Sequence, residues 1–343
     1  MILLPSLLAP IPLCPPCVSG CKTKTIKLSS SNYSSFGWEK AKYVHGVAVN
    51  SAQEGHNAEP EFQVLAAVRS AYNDIVIVDT PESRMLLLDS THNVHSIFNK
   101  GEKWTGSYWD DFASLPAIVP KGPIAIFGLG GGTAAHLMLG VWPSLQLEGW
   151  EIDHILIDKA REFLGLADLE KQTSGGGILN VHVGDALSPL TTVPGGYAGI
   201  VIDLFSEGKV LPQLQEAEIW LELNNKLMPN GRLMVNCGGG TSDGSFSPGI
   251  SSTDSSWEQN STIKAMCEAF SRQVGTSFIQ FFSLQRALIL CQTSRLNWKK
   301  LPKAEGENYL AITGPLPDLT SWSAALPDRL SSSVRQWQSC RPL

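Results

Sequence analysis

Residues 123–139, Pro-Ile-Ala-Ile-Phe-Gly-Leu-Gly-Gly-Gly-Thr-Ala-Ala-His-Leu-Met-Leu, decide how the chain is read. Ile124 to Phe127 is a continuous apolar run, the pattern of a strand buried on both faces. The glycines Gly128, Gly130, Gly131 and Gly132 follow at once, and a helix is expected over Ala134–Leu139. A strand, a glycine turn and a helix in this order let the backbone approach a ligand and aim helix N-terminal N–H groups at it. The sixth position of the loop is Thr133, so the match to a dinucleotide fingerprint is imperfect. A tight turn that binds nothing is the alternative.

Downstream the β-α alternation continues. Strands are expected at Leu147–Ile152, Leu179–Val183, Tyr197–Asp203 and Arg232–Asn236. Helices are expected at His154–Leu164, Ala217–Leu227 and Ser261–Val274, with Met228-Pro229-Asn230-Gly231 as a helix stop. Two further strands, Phe278–Phe282 and Ala287–Cys291, close the pattern after a Gly- and Ser-rich loop at 238–254. This predicts an α/β fold with a doubly wound parallel sheet. Upstream, 74–79 and 84–89 read as a β-hairpin turned at Thr80-Pro81-Glu82-Ser83, with a strand or helix before it at Val64–Ala71. Tyr108 to Leu115 reads as the start of a helix. The resulting organisation is a leader at 1–38, a small N-terminal β unit at 39–118, a nucleoside-binding domain at 119–295 and a peripheral tail at 296–343.

The leader has no Asp or Glu, carries Lys22, Lys24 and Lys27, and is rich in serine. That composition predicts a plastid transit peptide and a chloroplast location, with a secretory signal as the competing reading. Its apolar part is short and dense in proline, which argues against a membrane helix. The net charge of -6 gives no basic face for nucleic acid. The seven cysteines have no regular spacing, and Cys14-x-x-Cys17 lacks a second ligand pair, so neither a disulfide scaffold nor a metal site is expected. His92 and His95 are spaced H-x-x-H but lack a third ligand nearby.

Three carboxylates stand at successive strand ends. Glu151 follows Gly130 by 21 residues, where an acid can accept hydrogen bonds from both ribose hydroxyls. Asp185, in Val183-Gly184-Asp185-Ala186, is placed to receive an adenine amino group; capping a following helix is the alternative. Asp203 ends the next strand, where an acid could take a proton from an amine or hold an ammonium; a purely structural role in its loop is the alternative. All three point to one crevice beyond the sheet's carboxyl edge.

These residues resemble the spermidine synthase (polyamine aminopropyltransferase) family, within the S-adenosylmethionine-dependent methyltransferase superfamily. The resemblance covers roughly residues 65–295. It rests on the glycine loop, Trp150-Glu151-Ile152-Asp153, Gly184-Asp185-Ala186, Ile202-Asp203, Leu88-Asp89 of the hairpin, and Tyr108-Trp109-Asp110. It implies a small β domain followed by a methyltransferase-like (Rossmann-type) sheet that ends in a helix and a β-hairpin. It implies S-adenosylmethionine or decarboxylated S-adenosylmethionine as the ligand, with Gly128, Gly130, Gly132, Glu151 and Asp185 binding it. Asp203 would be the catalytic acid that deprotonates an acceptor amine, and Tyr108 would line the acceptor pocket. Dimers are common in the family, though the sequence does not set the oligomeric state.

The chain also departs from the family. The aspartate that holds the aminopropyl ammonium is replaced by Gly131, and a second acid three residues beyond Asp203 is replaced by Ser206, with Glu207 one step on. Each lost acid removes a charge-assisted hydrogen bond of about 1.5–3 kcal/mol. The first expectation is therefore a methyl or related transfer to an unidentified small-molecule acceptor. Aminopropyl transfer to a diamine is the second, and a non-catalytic nucleoside-binding protein the third.

Overall fold

The computed structural model describes residues 62–91, 93–239, 256–278, 296–302 and 308–340. The leader, His92, most of the Gly- and Ser-rich loop, and the hairpin expected beyond Phe278 lie outside these residues.

The N-terminal unit is a four-stranded antiparallel meander of β1 (Gln63–Arg69), β2 (Asp74–Asp79), β3 (Ser83–Leu87) and β4 (Ser96–Asn99). The expected hairpin is β2–β3, with Ile77 opposite Leu86. The segment read as strand or helix is the strand β1. Alternation places Ile75 and Ile77 of β2 in the core, where they join the hydrophobic cluster of the large sheet. The β unit is thus fused to the main domain through a shared core. β4 is too short to show a period in the sequence. The helix expected over Tyr108–Leu115 is one turn, α1 (Trp109–Phe112), followed by a 3-10 turn over Leu115–Ile118 that contains Pro116. Proline lacks the N–H that would continue an α-helix.

The main domain follows with β5 (Ile124–Phe127), α2 (Thr133–Val141), β6 (Gln146–Glu151), α3 (His154–Phe163), α4 (Leu166–Leu169), β7 (Ile178–Val183) and β8 (Tyr197–Ile202). A two-residue-strand hairpin, β9 (Phe205–Ser206) and β10 (Lys209–Val210), precedes α5 (Ala217–Asn225), β11 (Leu227–Asn236) and α6 (Ser261–Phe278). The expected stop at Met228–Gly231 is a kink inside β11: its pairing with β8 shifts between Leu227 and Arg232, and Asn230 has φ 65°. Then come β12 (Leu296–Lys300), β13 (Tyr309–Thr313), two helices at Leu319–Ala324 and Asp328–Val334, and β14 (Gln338–Ser339).

The eight-stranded sheet has the order β14-β12-β13-β11-β8-β5-β6-β7. β11, β8, β5, β6 and β7 are parallel, and β13 runs antiparallel to both β11 and β12. A doubly wound, methyltransferase-like sheet is therefore present, with an antiparallel hairpin at its end. Its strands alternate between two hydrophobic clusters, one per face. Ile124 and Ile126 enter one and Ala125 and Phe127 the other; Leu233 and Val235 oppose Met234 in the same way. Burial on both faces explains why these strands are apolar throughout.

The closing hairpin lies in residues expected to be a peripheral tail. Residues 296–340 supply three strands and part of the core, including Trp322, Leu330, Val334 and Trp337. The sequence concealed this because β12 reads Leu-Asn-Trp-Lys-Lys. Asn297 and Lys299 are buried all the same, because distant partners satisfy them. Asn297 Nδ2 donates to Gly314 O at 2.9 Å, and Lys299 Nζ donates to Asp111 Oδ1 at 2.8 Å. Among the described residues, no helix is long and apolar enough to cross a membrane.

Asp153, fully buried, joins the β unit to α3. Its Oδ1 accepts from Ile155 N at 3.1 Å and Leu156 N at 3.3 Å, capping the helix. Its Oδ2 accepts from Asn73 Nδ2 at 2.8 Å and from the Ser70 hydroxyl. Asp153→Ala removes a cap and leaves the turn's donors unpaired, so a stability loss of about 2–3 kcal/mol is expected in urea titrations.

Candidate functional site

The chain runs from β5 to β6 and β7 on one side of the sheet, then returns to β8 and β11 on the other. The crevice between β5 and β8 is thus the topological switch point, where open α/β sheets bind ligands. The glycine loop leaves β5 there, and Asp203 leaves β8. The two touch: a Cβ on Gly128 would lie 2.2 Å from Asp203 O.

Gly128, Gly130 and Gly132 have φ of 85°, 54° and 91°, the left-handed region that favours glycine. All five amide N–H groups from Gly128 to Gly132 have partners within the chain. Those of Gly128 and Leu129 donate to Trp150 O, that of Gly130 to Glu151 Oε2 at 3.0 Å, that of Gly131 to Ser96 Oγ at 2.8 Å, and that of Gly132 to Leu129 O. Thr133 closes the loop against β4, its Oγ1 accepting from Ile97 N and donating to Ile97 O. The unanticipated strand β4 therefore shapes the loop. A Cβ on Gly131 would meet Leu164 Cδ1 at 2.5 Å and Ser96 Cβ at 2.8 Å. The position where the family places an acid is filled from outside the loop.

Glu151 lies beside this loop as expected. Its Oε1 accepts from Ile152 N at 2.9 Å and Asp153 N at 3.2 Å, while Oε2 accepts only the Gly130 N–H. An ionised carboxylate has about four acceptor positions, so Oε2 keeps capacity for a hydroxyl donor. Burial raises the Glu151 pKa, opposed by the three N–H donors. Asp185 lies exposed at the end of β7. Its Oδ1 accepts from Leu187 N at 2.9 Å in a local turn, and no helix follows for it to cap.

Asp203, at the end of β8, gathers three hydrogen-bond donors. Its Oδ2 accepts from Tyr108 Oη at 3.1 Å and Trp109 Nε1 at 3.2 Å, and its Oδ1 from Asn236 Nδ2 at 2.9 Å. All three donors are neutral. Burial outweighs their hydrogen bonds, and the Asp203 pKa is pushed up to about 6. Burial, and then the nearby Asp203 charge, raise the Tyr108 pKa, so the phenol stays protonated and donates. Tyr108 and Asp203 are 95 residues apart, and the fold joins them as the sequence reading required. That reading missed Trp109 and Asn236 as partners. The Tyr108-Trp109 motif was the one available signal, since its second residue reaches the same oxygen.

Glu207 does not replace the missing second acid. It sits with φ 51° at the exposed tip of the β9–β10 hairpin, and Ser206 pairs with Lys209 in that hairpin. His95 Nε2 is 3.3 Å from Asp89 Oδ2. Among the described residues, no group of three or more His, Cys, Asp or Glu is arranged to hold a metal ion.

Comparison with known proteins gives first the class and then a nearer likeness. The fold is that of a probable spermidine synthase from Corynebacterium glutamicum ATCC 13032, with a TM-score of 0.50, 12% identity, and coverage of 81% of this chain and 90% of that one. Spermidine synthase from Thermotoga maritima aligns at a TM-score of 0.42 and 11% identity over 74% of this chain and 72% of that one. In sequence the chain is similar to a probable polyamine aminopropyl transferase of Bifidobacterium longum (strain NCC 2705), at 25% identity over 169 residues, 49% of this chain. The match spans only 36% of that relative's length. No protein-family profile matches the chain. The recognisable likeness is to spermidine synthase-like proteins.

Proposed function

We propose that the chain is a transferase that binds decarboxylated S-adenosylmethionine in the β5–β8 crevice and passes its aminopropyl group to a small amine. The observation that carries this reading is Asp203, a carboxylate with three neutral donors, set against the glycine loop. The ligand supplies a sulfonium-activated carbon. Glu151 Oε2 would take the ribose hydroxyls, and Asp185 would receive the adenine amino group. Asp203 would hold the acceptor ammonium and remove one proton from it, freeing the nitrogen lone pair to form the new C–N bond as the C–S bond breaks. The bonding electrons leave with sulfur as methylthioadenosine. A base with a pKa near 6 is largely ionised at neutral pH yet still basic enough for this step.

The loop also supports a donor without its carboxyl group. With the N–H groups of residues 128–132 already bonded within the chain, a ligand carboxylate would find none of them free. One observation favours a second reading, methyl transfer from S-adenosylmethionine: Gly131 bears no acid for the aminopropyl ammonium, and Ser96 and Leu164 leave no room for one.

Calorimetry separates these readings. Decarboxylated S-adenosylmethionine is expected to bind at least tenfold more tightly than S-adenosylmethionine, and Glu151→Gln to weaken methylthioadenosine binding about tenfold or more through one lost charged hydrogen bond. Turnover with putrescine should follow binding. Preference for the carboxylated donor would transfer the argument to methylation. Tight nucleoside binding with no turnover on any amine would leave a binding protein. The leader, proposed as a plastid-targeting segment, is tested by the location of a fusion to a fluorescent protein.

A further inference from the structure

We infer that Lys299 is a positioning residue for Asp203, acting through Asp111 and the one-turn helix that carries Trp109. The role in transfer rests on the function proposed above; the geometry does not.

Helix α1 cannot hold itself in place. A single turn fixes several residues for very few internal hydrogen bonds, and α1 has no side-chain cap at its N-terminus. Its position must come from tertiary anchors, yet Tyr108 and Trp109 at its start form two of the three hydrogen bonds to Asp203. The anchors come largely from residues 296–340. Lys299, 1% exposed, donates to Asp111 Oδ1 at 2.8 Å, to the Ser333 hydroxyl and to Ser333 O. Ser333 Oγ also donates to Asp111 Oδ1 at 2.8 Å, which closes a buried triangle. Trp322 Nε1 donates to Ser114 O at 3.0 Å, just beyond the helix. Asp110 organises the approach to the helix, accepting from Thr105 N, Thr105 Oγ1 and Gly106 N, and its Oδ2 lies 3.8 Å from Arg329 Nε.

A buried ion pair is a poor source of net stability, because desolvating two charges offsets most of their attraction. It does fix a geometry, since an off-register Asp111 would leave the Lys299 ammonium buried without its anion. Lys299 lies on β12, a strand of the rigid sheet, so the triangle ties α1 to the sheet that carries Asp203.

The test uses the full chain with Lys299→Met and Asp111→Leu together, which removes both charges and leaves neither stranded. The readouts are the thermal midpoint, the titration of Asp203 followed by carbon NMR of labelled aspartate, the affinity for methylthioadenosine, and kcat/KM with decarboxylated S-adenosylmethionine and putrescine. The variant is expected to fold and to bind methylthioadenosine as the parent does. Its Asp203 midpoint should fall by about one unit toward the ordinary carboxylate value, because the loosened wall of Tyr108 and Trp109 admits water, and relief of burial, the larger effect in the parent, outweighs the weakening of their two hydrogen bonds. Its kcat/KM should fall at least tenfold. An unchanged Asp203 midpoint in the folded variant overturns the inference, whatever the rate does. If the double variant does not fold, Ser333→Ala takes its place, with a smaller shift in the same direction expected and an unchanged midpoint again overturning it. Absence of any transfer by the parent would count against the proposed function alone, since the titration still reads the positioning.

Discussion

Asp203→Asn is expected to lower the transfer rate by about 10²–10⁴-fold while leaving methylthioadenosine binding nearly unchanged. The range is that of a positioned general base. The amide keeps the shape of the side chain but cannot take the acceptor's proton or pair with its ammonium. In the parent, kcat/KM should rise with pH through about 6, as burial delays ionisation of Asp203 to that point. The same shift acts on stability with the opposite sense. The folded-state value lies above the ordinary 3.8, so the folded protein favours the protonated acid. That contribution is fully present below about pH 4 and is lost as the pH rises through 6. Above pH 7 the ionised, half-buried carboxylate costs up to about 3 kcal/mol relative to its protonated form. Asp203→Asn should therefore flatten the dependence of stability on pH in this window. Denaturant titrations at pH 5 and pH 8, set beside rate profiles, check both halves. A variant with parental turnover would remove Asp203 from catalysis.

Gly128→Ala should be among the most damaging single substitutions in the chain. Gly128 has φ 85°, where an added Cβ costs about 1–3 kcal/mol. That Cβ would also lie 2.2 Å from Asp203 O and 2.9 Å from its carbonyl carbon, both backbone atoms of a buried strand end. Overpacking against atoms that cannot rotate away adds about 1–3 kcal/mol. A total loss of about 3–5 kcal/mol is expected in urea titrations. Because the displaced group is Asp203 itself, any folded fraction should also lose transfer activity. Gly176→Ala is the control: it too has positive φ, 82°, but nothing lies within 4 Å of the added Cβ, so only the smaller conformational cost should appear.

The sequence and the structure agree best where chemistry is local. The run Ile124–Phe127, the glycines after it and the acids at strand ends were legible because each obeys a short-range rule: burial on both faces, positive φ, and a carboxylate at a carboxyl edge. Tyr108 and Asp203 were picked out separately, and the fold brought them to 3.1 Å. Ser96, Trp109 and Asn236 were not legible. A serine, a tryptophan and an asparagine carry no pattern of their own, and their importance lies in what they touch.

The C-terminal segment shows the limit most clearly. Lys299 and Asn297 made β12 look polar and peripheral, since a buried lysine is expected only when it is paired. Its partner Asp111 lies 188 residues away, and no window of sequence contains both. The glycine loop, the parallel core strands and the acids at the strand ends follow from the amino-acid order alone, because backbone conformation and hydrophobic burial act over a few residues. Packing alone set the rest: Ser96 and Leu164 fill the space beside Gly131, burial raises the Asp203 pKa against three neutral donors, and a buried ion pair from residues 296–340 holds two of those donors in place. Those outcomes depend on which distant side chains desolvate one another, and that is settled only when the chain packs.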